Sequence, residues 1–271
     1  VLIYGKELSH KGLWPYVDIM YRSPGTSATI KMAIADERAD KILLEASPEE
    51  EIRAAYITNV VLTADENSLL PSTDIVGFMK DYYTPGCNSV LPVISLDSEG
   101  KPVLWGGAVM KKDVMVGELD YEQSNIYVML RENQSTGIMV YDCQLRGENC
   151  KVTALCSFER TLRTKQMDSG FNFDITLKIN ADVMEISSLT SMTPSTEELE
   201  ILAEALDKSI EERAYEYLNY IHKDLGLDNL GLAREVLAID REQAQNCDTE
   251  EFWRNANVTV SAESILEAVT P

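Results

Sequence analysis

Two histidines, five cysteines and 45 carboxylates are the side chains from which this chain would have to build any chemistry. His222 follows Ile221 on a long helical pattern, where an imidazole ordinarily faces solvent, and His10 lies near the start of the chain. A Cys87–His dyad would supply a nucleophile, but nothing in the flanking residues lowers the thiol pKa. Cys87, Cys143, Cys150, Cys156 and Cys247 contain no Cys-x-x-Cys pair, and their odd number leaves at least one free or bonded between chains. Cys143, Cys150 and Cys156 could form a disulfide, ligate a metal or simply occupy strands. Their spacing fits no zinc pattern, and unpaired thiols acting as small hydrophobes are the ordinary reading. The acidic runs EASPEEE and TEELE read as helix starts, where Asp and Glu favour the macrodipole. No Gly-x-Ser-x-Gly, His-Glu-x-x-His, Walker-type or dinucleotide glycine pattern occurs. Gly106-Gly107 precedes a strand, so it reads as a turn or bulge and not as a phosphate cradle. These residues predict no catalytic residue, no cofactor site and no metal site.

Whatever the chain does must also suit its charge. The 45 acidic residues outnumber the 24 basic ones, leaving a net charge of −21. That field repels phosphates and anionic headgroups, so nucleic acid is a poor partner and purely electrostatic membrane docking is disfavoured. No stretch approaches the ~20 apolar residues needed to span a bilayer. The opening VLIYGKEL is already strand-like and lacks Met, which reads as the interior of a longer protein.

The elements that would carry these residues fall into two styles. Up to about residue 98, short strands and helices alternate: VLIYG and TIKMAIADE as strands, SHKGLWPYVDIMYRSP as a helix ending before Pro24. A helix runs to about Glu45, and Ser47-Pro48 opens another, with Glu50 completing a capping box. STDIVGFMKDYYTPG is a further helix begun by Ser72 or Thr73 and stopped by Pro85-Gly86. Residues 89–119 read as a meander broken at SEGKP, GG and KKD, and DYEQSNIYVMLREN as a helix. Strands 138–187 then run consecutively through polar turns, as in an antiparallel sheet. Ser195 and Glu198 form a capping box, and Leu199, Leu202, Leu206, Ile210, Ala214, Leu218, Ile221 and Leu225 make one apolar stripe, stopped by Gly226. Near the end, FWRNANVTVSAES alternates Val258, Val260 and Ala262 with Thr259, Ser261 and Glu263. The sheet needs a cover, the long helix supplies it, and the chain returns as a last strand, 257–266. Phe252 and Trp253 anchor that return against the helix stripe. The expected fold is α+β, with mixed or antiparallel sheets and helices packed on them. Three small domains are expected: 1–98, 99–143 and 144–271.

Several segments in order, "GKELSHKGLWPYVDIMYRSPG", "LWGGAVMKKDVMVGELDYEQ", "LDNLGLAREV" and "FWRNANVTVSAESI", resemble the C subunit of spore nutrient germinant receptors, the GerAC or Ger(x)C lipoprotein family. The matching features are a hydrophobic hairpin at Gly107 to Val109 and a Lys-x-x-x-x-Gly-x-Leu segment from Lys112 to Leu119. They continue with a turn at Asp228, Leu230, Gly231 and Leu232, and close with Trp253, Val258 and Val260. The resemblance spans Gly5 to Ile265 and implies a three-domain protein with no catalytic site. It further implies attachment through an N-terminal lipid, absent from these residues, to the outer face of the spore inner membrane. Its partners there would be two integral membrane subunits, A and B.

The expected function is therefore a non-enzymatic receptor subunit acting in assembly and nutrient-triggered germination, with neither hydrolytic turnover nor tight small-ligand binding in isolation. The alternative is an extracytoplasmic solute-binding protein, which needs two lobes with parallel sheets and helical crossovers that strands 138–187 lack. A secreted hydrolase is disfavoured by the missing nucleophile.

Overall fold

The computed structural model describes residues 1–27, 29–45, 53–66, 70–167, 170–187 and 194–268. The chain divides into two compact units: Val1–Tyr127 with Tyr220–Asn255, and Val128–Asn219 with Ala256–Pro271.

The first unit is built on a five-stranded sheet in the order β1-β2-β3-β4-β5. Its strands are β1 (Leu2–Gly5), β2 (Met32–Ala35), β3 (Val90–Leu96), β4 (Pro102–Lys111) and β5 (Val114–Leu119). β1, β2 and β3 are parallel, and β3, β4 and β5 antiparallel. Parallel neighbours need long crossovers. These are α1 (Lys6–Ser9) and α2 (Trp14–Arg22), then α3 (Ala39–Glu45), α4 (Arg53–Glu66) and α5 (Ile75–Tyr83). The helices cover both faces, so β2 is buried throughout. Met32 and Ile34 pack with Val17 of α2 and with Ile75 and Phe78 of α5. Ala33 and Ala35 pack with Ile42 of α3 and Ile57 of α4. The N-cap of α5 is Asp74, whose carboxylate accepts from Gly77 N, one residue later than the sequence suggests. The capping box expected at Ser47 and Glu50 lies outside the described residues.

Gly106 and Gly107 lie inside β4, where the register with β3 shifts between Val93 and Ile94: a bulge, not a turn. A Cβ on Gly106 would collide with the Leu119 carbonyl, so β4 and β5 approach only because that side chain is missing. The strands of 89–119 thus form the expected meander, with turns at SEGKP and at Lys112-Asp113 only.

The second unit is a four-stranded sheet, β6-β7-β8-β9, of β6 (Gln134–Leu145), β7 (Glu148–Met167), β8 (Gly170–Ile186) and β9 (Asn257–Ala268). It is entered through α6 (Tyr121–Arg131). The first three strands are antiparallel, as the alternation predicts, but β9 joins β8 in parallel. The long helix α7 (Thr196–Leu218) is the crossover that makes a parallel return possible. Leu202, Leu206, Ile210 and Ala214 are fully buried, and Phe173, Ile175, Leu177 and Ile179 point inward from β8. The capping box forms as expected: Ser195 Oγ accepts from Glu198 N, and Glu198 accepts from Ser195 N at 2.9 Å. Arg146 holds the same Glu198 carboxylate through two nitrogens at 2.6 and 3.0 Å, and that bond chiefly lowers its pKa to about 2.

α7 also shields backbone groups on both outer strands. Glu211 accepts from Ala262 N of β9 at 3.0 Å, and Arg213 donates to Val140 O of β6 at 2.7 Å. Covering exposed strand edges in this way discourages pairing with other chains.

The divisions expected at 98 and 143 do not coincide with these units. Residue 98 lies in the β3–β4 hairpin and residue 143 within β6, so each cut would part residues of one sheet. Turn-forming residues mark a reversal of the chain; only the pairing on either side says whether it joins strands or domains.

Candidate functional site

Charged and polar side chains converge in the first unit where Tyr220–Asn255 packs on it. α7 continues as a π-helix (Asn219–Asp224), with Leu225 N bonded to Tyr220 O, and stops at Gly226. α8 (Leu232–Ile239), a 3-10 turn (Gln243–Asp248) and α9 (Glu250–Arg254) follow.

Asp228, fully buried, directs this segment. Its carboxylate accepts from Leu230 N and Ala233 N, both at 2.9 Å, and so satisfies donors at the start of α8. Gly231 precedes that helix at φ 78°, a left-handed conformation that glycine adopts without penalty. The Asp228 carbonyl in turn accepts from Asn88 N and Asn88 Nδ2. Asn88 Oδ1 accepts from Lys112 N at 2.9 Å, holding Lys112 at φ 57°, where a side chain costs about 1–2 kcal/mol. Lys112 Nζ donates to the carbonyls of Tyr82 and Thr84 and lies 3.2 Å from Asp248. Lys111 pairs with Glu250 at 2.5 Å. Arg234 of α8 reaches Asp81 of α5, whose other oxygen accepts from Ser89 Oγ. A cleft of about 160 Å³ remains among Asn88, the two lysines, Asp248, Glu250 and Trp253.

Trp253 is 1% exposed, and its Nε1 donates to Cys247 O at 2.7 Å. Its ring contacts Phe252 and His222. The expected burial of Trp253 is thus present, against the π-helical continuation of α7. His222 is not on a helix surface: it is 2% exposed, and burial lowers its pKa to about 3. Its Nε2 meets no hydrogen-bond partner among the described residues. His10 Nδ1 donates to Met115 O at 2.9 Å.

All five cysteines are buried. Cys143 and Cys150 face each other across β6 and β7, and Cys150 Sγ donates to Cys143 O. Burial pushes the Cys156 and Cys247 thiols up to about 12, opposite to what a nucleophile requires. Among the described residues no group of three His, Cys, Asp or Glu side chains is placed to hold a metal ion. No described helix is long and apolar enough to cross a membrane.

A second concavity, of about 320 Å³, lies at the carboxyl ends of β2 and β3, lined by Asp36, Glu37, Lys41, Ile42, Ser95 and Leu96. Beside it Lys6 Nζ bridges Asp36 at 2.8 Å and Glu118 at 2.6 Å. Burial works against the Lys6 ammonium, but its hydrogen bonds to both carboxylates outweigh this and raise its pKa.

Sequence reading reached Lys112, Asp228 and Gly231 only through the family resemblance, and Trp253 also through its place before the last strand. It missed Asp81, Lys111, Arg234, Asp248 and Glu250, and it missed Lys6, Asp36 and Glu118. Lys111 and Glu250 are 139 positions apart, and Asp81 and Arg234 are 153 apart. No local pattern announces such pairs.

Two family models match the chain. "Spore germination protein N-terminal domain" covers residues 1–96, and "Spore germination B3/ GerAC like, C-terminal" covers residues 105–268. The chain is 22% identical over 274 residues to spore germination protein GerQC of Bacillus cereus, covering 98% of this chain and 75% of that protein. Among solved structures it superposes on the GerBC protein with a TM-score of 0.68 at 11% identity, covering 99% of this chain and 78% of that one. The second model alone takes in more than half of the sequence, so this chain belongs to the GerAC family of spore germination proteins, the C subunits of germinant receptors.

Proposed function

We propose that the chain is a non-enzymatic subunit that assembles with the integral membrane A and B subunits of its receptor and is required for nutrient-triggered germination. It is held by an N-terminal lipid on the outer face of the spore inner membrane. The observation that carries this reading is the match of both family models, in order, along nearly the whole chain. The local chemistry supports it. The charged groups around Asp228 join distant segments of one unit, and the raised thiols suit packing better than attack. A single acyl chain binds membranes only marginally, at K of about 10⁴ M⁻¹ for myristoyl, so protein contacts share in retention. With a net charge of −21, those contacts favour basic loops on the partners and weaken as salt rises.

The test is to delete the gene and to co-express the three subunits with and without the lipid-bearing cysteine. Loss of nutrient-triggered germination on deletion, restored by the wild-type gene, is the expected result. Germination that survives deletion removes the required role. Restoration by a form without the lipid shows that the protein surfaces suffice and overturns the anchoring part of the reading.

A further inference from the structure

We propose that Cys143 and Cys150 are the site of a cross-strand disulfide that locks the tip of the β6–β7 hairpin. The strand register places the two residues directly opposite each other. Opposed residues of an antiparallel pair have Cα atoms about 4.5–5.5 Å apart, within the roughly 4.4–6.8 Å that a disulfide spans. Both side chains point to the inner face of the sheet, and Cys150 Sγ donates to Cys143 O at 3.3 Å. Burial chiefly raises the Cys143 thiol pKa, and the neighbouring Cys150 thiol, hydrogen-bonded to it, adds to the effect. Cys156 has no such partner: it faces Gly137 and Ala181, and along β7 it stands about 20 Å from Cys150. Cys247, in the other unit, turns its thiol to Gln243 O.

The position is one where a covalent link matters. β8 pairs with β7 only as far as Val152, beyond which Ser187 N bonds Lys151 O. From Cys143 and Cys150 to the turn, the hairpin is therefore a two-stranded ribbon, an arrangement marginal by itself. That turn carries Arg146, which holds Glu198 at the start of α7. A bond between the strands just behind the turn keeps the ribbon from fraying and Arg146 within reach of the helix.

A low-molecular-weight disulfide, RSSR, supplies the oxidising equivalents in two exchanges. One protein thiolate attacks RSSR, forming a mixed disulfide and releasing RS⁻. The other thiolate attacks the protein sulfur of that intermediate, forming the Cys143–Cys150 bond and releasing a second RS⁻. The two thiol protons end on the released thiolates, so two protein thiols are oxidised and one RSSR becomes two RSH. The thiolate is the attacking species and burial keeps Cys143 protonated, so the bond belongs to the folding chain, before the hairpin is covered. Only the supply of oxidant rests on the proposed receptor location, outside the cytoplasm, where disulfides form and persist.

The test is to refold the reduced, urea-unfolded chain in mildly alkaline buffer with oxidised and reduced glutathione. Remaining thiols are then alkylated and the links mapped by proteolysis and mass spectrometry. A Cys143–Cys150 link is expected in most refolded chains. Their circular-dichroism transition should lie roughly 5–10 °C above that of the chain refolded in excess reductant. Cys143→Ser should lose both the link and the shift, and Cys156→Ser should keep both. The parent's map and melt decide the matter even where a serine variant folds poorly. The proposal is overturned if both thiols of the refolded parent are alkylated or remain joined to glutathione. It is equally overturned if the link maps to another pair, or if the linked chain melts no higher than the reduced one. None of these results touches the receptor reading, which is scored separately by germination after gene deletion.

Discussion

The two units solve one problem, the unpaired edge of a curved sheet, by different means. In the second, a single amphipathic helix does it: α7 buries Leu202, Leu206, Ile210 and Ala214 and extends Glu211 and Arg213 to the two outer strands. In the first, the edge strand β5 is covered by the stretch between β1 and α2. There Leu13 N donates to Asp113 O, His10 to Met115 O, and Lys6 pairs with Glu118. The Tyr220–Asn255 segment is then fastened by Asp228, Arg234 and Trp253. A periodic pattern distributes its stability over many similar contacts, whereas single polar contacts concentrate it in a few residues. Point substitutions should therefore cost more in the first unit than in the second.

Tryptophan emission separates the two, because Trp14, Trp105 and Trp253 all lie in the first unit. Trp253→Ala should be the most damaging change, costing about 3–5 kcal/mol, the range for a buried Trp. Urea unfolding followed by the emission of Trp14 and Trp105 should show it. A midpoint unchanged by the substitution would break the contrast.

Acid should act next through His222. Its folded pKa of about 3 lies below the unfolded value of about 6.5. As pH falls through that interval the unfolded chain takes up a proton that the folded one excludes, so stability falls by about 1.4 kcal/mol per pH unit. At pH 5 the loss is about 2 kcal/mol. His222→Leu should flatten this dependence in emission-monitored melts. An equal slope in parent and variant would assign the acid sensitivity elsewhere.

In the second unit, Ser195→Ala should cost about 1 kcal/mol, the usual value of an N-cap. It should lower the circular-dichroism transition while leaving tryptophan emission at its parental midpoint. The Glu198 side of that capping box has a lowered pKa, so its support is complete above about pH 4.3 and disappears as pH falls through about 2. Smallest of all, Ser261→Ala on the outward face of β9, which removes a 3.2 Å contact with Thr176, should change stability by less than about 0.5 kcal/mol. A loss comparable to that of Trp253→Ala would reverse the ranking of the units.

Local order alone determined much of the second unit. Alternation along β6, β7, β8 and β9, the Ser195–Glu198 capping box and the α7 stripe are period-two and period-3.6 signals within single segments. Steric and solvent effects act there on near neighbours, and the α+β class follows. Turn residues between apolar runs placed β3, β4 and β5, and its position bordering the last strand placed the burial of Trp253. Tertiary structure decided the rest. The parallel pairing of β9 depends on where α7 delivers the chain, and the joining of β3 to β4 in one sheet depends on register. The burial of His222 depends on Trp253, 31 positions later in the chain. The Lys6, Asp36 and Glu118 cluster depends on strands brought together by the sheet, and the Lys111–Glu250 pair on α9 meeting the end of β4. Electrostatic pairing acts over a few ångströms, and only the folded chain makes such separations small.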